Sequence, residues 1–182
     1  GNAEANNARA SSFNASIGNY PEISVSNIQH PSNVQLSVPF DVSWTVTNTG
    51  TAALTKPTTD RVYLSLDGTV DGNDRVLATI SSNSKLPVAP NGNYTQTTTV
   101  TLPLDLSLTP GSYQIIVVAD YLNNQFELNE GNNERTSIIN ILLPPLPDLI
   151  VESISSKEVT VAGQSVELTW TLKNQGTGPV TG

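Results

Sequence analysis

The sequence predicts an all-β fold, an antiparallel two-sheet sandwich of about seven short strands, on three observations. Apolar and polar residues alternate with a period of two in several short runs. Thr, Ser, Asn and Val are abundant beside twelve Gly and twelve Pro, a composition of strands and turns. No long window places apolar residues at i, i+3, i+4 and i+7 among good helix formers.

The elements follow in chain order. A first strand is expected over 22–28. In 40–48, Phe40, Val42, Trp44 and Val46 point one way and Asp41, Ser43, Thr45 and Thr47 the other, as in a half-buried antiparallel strand. Residues 61–66 set Val62, Leu64 and Leu66 against Arg61, Tyr63 and Ser65, and 75–80 return after the turn Asp67-Gly-Thr-Val-Asp-Gly-Asn-Asp74. A Thr-rich strand over 94–102 follows. The stretch 113–121 is nearly continuously apolar (Ile115, Ile116, Val117, Val118, Ala119), as a central strand should be. A last strand over 135–142 closes the unit. Seven such strands joined by short turns suggest an immunoglobulin- or fibronectin-like sandwich. The usual Cys pair is missing, and the Trp sits on the second strand.

The chain also repeats itself. Tyr20-Pro-Glu-Ile-Ser-Val-Ser-Asn-Ile28 aligns with Leu146-Pro-Asp-Leu-Ile-Val-Glu-Ser-Ile154, and 40–50 aligns with 166–176. Trp44 and Trp170 stand 126 residues apart, as do Ile28 and Ile154, so no gap separates the two matches. The organisation expected is a polar linker or tail over 1–19, a complete sandwich over 20–143, a Pro-rich linker over 144–147, and the first strands of a second such repeat over 148–182. The linker is stiff because proline fixes φ. In the second copy Val166, Leu168, Trp170 and Leu172 share one face that nothing in the chain covers. Two isolated strands are marginal in water. A neighbouring repeat of the same polypeptide, or an identical subunit, is therefore expected to complete them.

These residues resemble a known family. The start Pro147-Asp-Leu-Ile-Val151, the core Leu168-Thr-Trp-Thr-Leu-Lys-Asn-Gln-Gly-Thr-Gly178, the segment Thr59-Asp-Arg-Val-Tyr-Leu-Ser65, and Val118-Ala-Asp-Tyr with Glu127-Leu-Asn-Glu-Gly-Asn-Asn133 are similar to CARDB, the cell-adhesion-related domain found in bacteria. Four segments occur in the family's order over most of 20–143; the second copy carries the first two. Glu22 departs from the pattern, standing where the family has aspartate. The resemblance implies a β-sandwich module strung in tandem in large exported proteins, and no catalytic residues.

Composition restricts the function classes. Sixteen acidic residues against eight basic give a formal charge of −8. That field repels phosphate backbones, so nucleic acid is an unfavourable partner. No apolar run approaches the length of a membrane span, so no membrane insertion is expected. The chain has no Cys, which removes disulfides, thiolate metal sites and cysteine nucleophiles, and no Met, so Gly1 is read as processed or interior. His30 is the one histidine and no Gly-x-Ser-x-Gly elbow occurs, so a serine triad lacks its parts and the chain reads as a non-enzyme.

Three constellations remain as candidate sites. Asp67, Asp71, Asn73 and Asp74 crowd one loop and supply the hard oxygen ligands Ca²⁺ takes, although Ala78 stands where an EF-hand has its closing Glu. The competing reading is a hairpin turn whose Asp and Asn side chains bond their own backbone. Glu127 and Glu130 lie in a second polar loop, which the strand order places at the opposite end of the sandwich. Calcium at module junctions would stiffen an array. Among the aromatic residues, Tyr63 on the outward face is the best placed to stack on a sugar or contact a partner. The function expected is a structural or adhesive repeat of an exported, cell-surface or extracellular protein, acting as spacer or filament building block. The alternative is a carbohydrate-binding module that recognises cell-surface glycans.

Overall fold

In the computed structural model the described residues are 11–14, 16, 18–105, 107–156 and 161–180, so most of the polar stretch 1–19 lies outside them. The first unit folds as β1 (Ile23–Gln29), β2 (Asn33–Gln35), β3 (Phe40–Asn48), β4 (Thr59–Ser65), β5 (Arg75–Ser81), β6 (Asn93–Val100), β7 (Gly111–Val118) and β8 (Glu134–Leu142). A three-stranded sheet of order β1-β3-β6 faces a five-stranded sheet of order β2-β8-β7-β4-β5. The all-β sandwich is therefore as expected, with two departures. A short extra strand, β2, pairs parallel to β8 through Asn33↔Asn140 and Gln35↔Leu142. Leu66, expected inward beside Leu64, is 74% exposed because β4 ends at Ser65 and the turn begins there.

The core forms where alternating side chains of the two sheets meet. Phe40, Val42, Trp44 and Val46 of β3 pack against Val62, Leu64, Ile115, Val117, Ile139 and Ile141 from the opposite sheet. Each such aliphatic side chain, fully withdrawn from water, contributes roughly 1.5–3 kcal/mol. Register orients the two ends of the sandwich. Arg61 pairs with Val118 and Gly111 with Ile141. The start of β4 thus lies beside the β7–β8 loop, at the end where residues 20–22 enter. The turn 67–74 lies at the other end, where β8 runs into the prolines.

The second copy forms β9 (Leu149–Ser156) and β10 (Leu168–Asn174), an antiparallel pair. It repeats the opening register of β1–β3, with the bulge falling one residue earlier. Ile23↔Asn48, Ser24↔Thr47 and Val25↔Val46 in the first unit become Leu149↔Asn174, Ile150↔Lys173 and Val151↔Leu172 in the second. Asn48 Oδ1 accepts from the amides of Glu22 (3.2 Å) and Gly50 (3.1 Å) while its Nδ2 donates to the Ala52 carbonyl (2.8 Å). Asn174 does the same with Asp148 (2.9 Å), Gly176 (3.0 Å) and Gly178 (2.8 Å). Both turns need glycine: a Cβ on Gly50 would collide with the backbone of Tyr20 and Glu22, and one on Gly176 with that of Leu146 and Asp148.

Candidate functional site

The densest set of buried polar groups lies at the entry end. Asp60 shares its strand face with Val62 and Leu64, so its carboxylate points into the core. There Trp44 Nε1 donates to Oδ2 at 3.0 Å, while Oδ1 and the Tyr94 hydroxyl are buried with no hydrogen-bond partner. Burial raises the Asp60 pKa to about 6 against the opposing pull of the Trp44 bond, and burial likewise raises that of Tyr94. Asp120, held at φ +46°, caps the loop after β7 by accepting from Asn124 N at 3.1 Å and Gln125 N at 2.7 Å.

Two glutamates clasp the loop to the first strand. Glu127 Oε2 accepts from Ile23 N (2.6 Å), and Glu22 Oε2 accepts in return from Leu128 N (2.9 Å). Asn133 Nδ2 donates to both Glu127 Oε1 (3.1 Å) and Glu130 Oε2 (3.2 Å). Burial, with Glu130 and Glu22 nearby, lifts the Glu127 carboxyl to about 7. Burial and the charges of Asp120 and Glu22 also raise Glu130. Glu22 and Glu127 serve backbone amides and Glu130 the Asn133 side chain, and among the described residues no group of three or more His, Asp or Glu is arranged to hold a metal. Glu127→Ala is expected to cost roughly 1–3 kcal/mol, because it strands the buried Ile23 amide. Amide exchange at Ile23 and Asn133 measures it, and unchanged protection there would remove the clasp.

The other sequence candidates lie apart. In the turn 67–74, Thr69 N reaches Asp67 Oδ1 (2.9 Å), Asn73 N reaches Asp71 Oδ1 (2.7 Å) and Asp71 N reaches Asp74 Oδ2 (2.9 Å). Gly68 takes φ +81°. The side chains here bond their own loop backbone. Tyr63 faces outward as expected but is only 8% exposed; the Arg61 guanidinium lies 5.9 Å from its ring centroid and 3.6 Å from that of Tyr121. Val166, Leu168, Trp170 and Leu172 are all exposed. His30 bonds Ser137 Oγ at 2.9 Å. Sequence reasoning set Asp120 beside the second polar cluster but did not single out Asp60 and Glu22 as site residues. For Asp60 the signal was present, since a charge sat in register with two core residues.

Comparison with known proteins agrees with this architecture. The chain resembles the crystal structure of the CARDB domain of a Pyrococcus furiosus protein in complex with di-metal ions, at TM-score 0.52 and 22% identity, covering 71% of this chain and all of that one. A solution structure of the same Pyrococcus furiosus domain gives TM-score 0.49 and 23% identity over 68% of this chain and 96% of that one. A β-glucosidase from Listeria innocua in complex with glucose matches at TM-score 0.43 and 14% identity, over 67% of this chain but 16% of the enzyme. No curated protein matches the chain. The CARDB family profile spans residues 20–137, well over half of the sequence. The chain belongs to the CARDB family, a cell-adhesion-related β-sandwich domain.

Proposed function

We propose that the chain is a structural and adhesive repeat of an exported, surface or extracellular protein, in which CARDB sandwiches follow one another as spacers. The observation that carries this reading is the 126-residue offset at which both sequence and hydrogen bonding recur between β1–β3 and β9–β10. The short linker, with Pro144, Pro145 and Pro147, supports a stiff junction. Among the described residues no helix is long and apolar enough to cross a membrane. Partners are neighbouring repeats, with cell-surface proteins or glycans as the adhesive target.

Calcium is the finer part of the proposal. The Pyrococcus furiosus relative was crystallised with di-metal ions, and both ends of this sandwich carry clustered carboxylates. The residues offered are Glu127 and Glu130 at one end and Asp67, Asp71, Asn73 and Asp74 at the other. Small-angle scattering and thermal melts of the full chain, in millimolar Ca²⁺ and in EDTA, test both parts. The expected result is an elongated particle and a melting temperature that falls in EDTA. Identical melts would remove calcium, and a compact particle would remove the spacer.

A further inference from the structure

The outer face of the five-stranded sheet carries a cation without an anion. Arg61 pairs there with Thr79 and Val118, and Tyr63 in the next row pairs with Val76 and Ile116, so these side chains lie on one side of the sheet. The Arg61 guanidinium is 3.6 Å from the Tyr121 ring centroid and 5.9 Å from that of Tyr63, within cation–π range of both. Tyr121 is held in place by its amide, which donates to the Thr59 carbonyl at 3.0 Å. Arg61 Nε is buried with no hydrogen-bond partner, which leaves the two Nη groups as the part of the guanidinium open to solvent. Among the described residues the ion pairs are Arg75–Asp105 and Lys173–Glu152, and no carboxylate comes that close to Arg61. Glu134 stands in the same row but two strands away, opposite Val118.

Burying Nε strips water from a permanent charge and returns no acceptor for it. The two rings meanwhile fix the guanidinium plane, so little rotamer freedom is left to lose when a ligand arrives. The Nη fork matches the two oxygens of a carboxylate. A single carboxylate fits better than a polyanion, because the field of a chain with net charge −8 repels multiple charges more steeply. The rest of the face is apolar. Val76, in the row next to Arg61, is 48% exposed, and Ile138, one row further on, is 67% exposed. Successive rows on one face lie about 7 Å apart, the repeat of side chains along one side of an extended peptide. Resting on the adhesive half of the reading above, we propose that Arg61, held by Tyr121 and Tyr63, receives an acidic side chain of a partner protein. The partner presents that carboxylate on an extended segment, with an aliphatic residue two positions away to lie against Val76.

The test titrates the full chain with the end-blocked peptide Val-Glu-Val-Glu-Val and with its Gln counterpart, in about 0.15 M salt so that long-range attraction is screened. Backbone amide shifts are the readout. The amides of Arg61, Thr79 and Val118 are expected to shift saturably with the Glu peptide and not with the Gln peptide. Arg61→Gln is expected to weaken binding about tenfold or more, the worth of a hydrogen-bonded charge pair. Arg61→Lys keeps the charge but loses the fork, and is expected to weaken binding several-fold. Tyr121→Leu keeps the arginine, releases its plane and weakens binding as well. Where Arg61→Gln fails to fold, the other two variants carry the test. The proposal is overturned by the absence of a saturable shift with the Glu peptide, by an equal response to the Gln peptide, or by unchanged affinity in Arg61→Lys. Tighter binding of oligogalacturonate at the same amides also overturns it, since the target would then be an acidic glycan. Particle shape and calcium melts are measured separately, so a failure here is distinguishable from a failure of the spacer reading.

Discussion

Trp44→Ala is expected to unfold the domain or bring it close to unfolding, while Trp170→Ala, the same change at the equivalent position, is expected to be nearly silent. Trp44 is fully buried between the sheets and donates to a buried carboxylate. Truncating a buried Trp costs roughly 3–5 kcal/mol through lost burial and the cavity left behind. Leaving the Asp60 carboxylate without its donor adds about 1.5–3 kcal/mol, the value of a hydrogen bond to a charged group. The sum is comparable to the whole stability of an ordinary domain, about 5–15 kcal/mol. Trp170 is largely exposed, and surface substitutions stay within about 0.5 kcal/mol. Urea denaturation of the two variants, compared by midpoint and slope, measures the difference. Equal losses would mean that 148–178 is already packed like the first unit. Trp44→Phe helps separate the two contributions, since it removes the indole N–H while retaining much of the apolar volume.

Period-two alternation made the central part of this fold readable in advance. It placed Phe40, Val42, Trp44 and Val46 on one face, and the structure buries all four. Strand β2 was not readable, because Asn33, Val34 and Gln35 carry a single apolar residue. They become a strand only through pairing with Asn140–Leu142, more than a hundred residues away. Leu66 continued the alternation of Val62 and Leu64, but period two says nothing about where a ladder stops. Tyr63 was assigned to the correct face, yet a face is not an open surface. The side chain of Arg61 and the ring of Tyr121 lie over that part of the sheet, the latter from a loop that alternation does not describe. The entry-end clasp was hidden for a related reason. Glu127 accepts from the Ile23 amide and Glu22 from the Leu128 amide, partners more than a hundred positions apart in sequence, and local pattern carries no trace of the pairing. The acid-rich composition of 127–134 signalled the loop without revealing that Glu127 faces the Ile23 amide.

The raised carboxyls, Asp60 and Glu127 foremost and Asp120 and Glu130 with them, give the domain a pH dependence of unusual sign. Asp60 titrates at about 6 in the folded protein against 3.8 as its ordinary value, and Glu127 at about 7 against 4.5. A carboxyl whose folded pKa lies above its unfolded one binds protons more tightly in the folded state. The stability it contributes is therefore complete below pH 4 and is lost as pH rises through the folded value. For Asp60, a shift of roughly two units corresponds to about 3 kcal/mol across that window. Asp105, lowered by its bonds to Ser107, acts in the opposite sense, and its loss is confined to more acid solution. The domain is thus expected to have a higher urea midpoint at pH 5 than at pH 8, against the common trend of stability rising as carboxylates ionise. Fewer negative charges also reduce self-repulsion in a chain of net charge −8, with the same sign. Two variants separate the causes. Asp60→Asn is expected to flatten the profile mainly between pH 4 and 6, and Glu127→Gln between about pH 4.5 and 7, whereas general repulsion would survive in both. If both variants keep the full slope of the parent, the pH dependence belongs to net charge and not to these buried groups. Trp44→Phe adds an internal check, because its cost should shrink at pH 5, where Asp60 is neutral and no longer needs a donor for a buried charge.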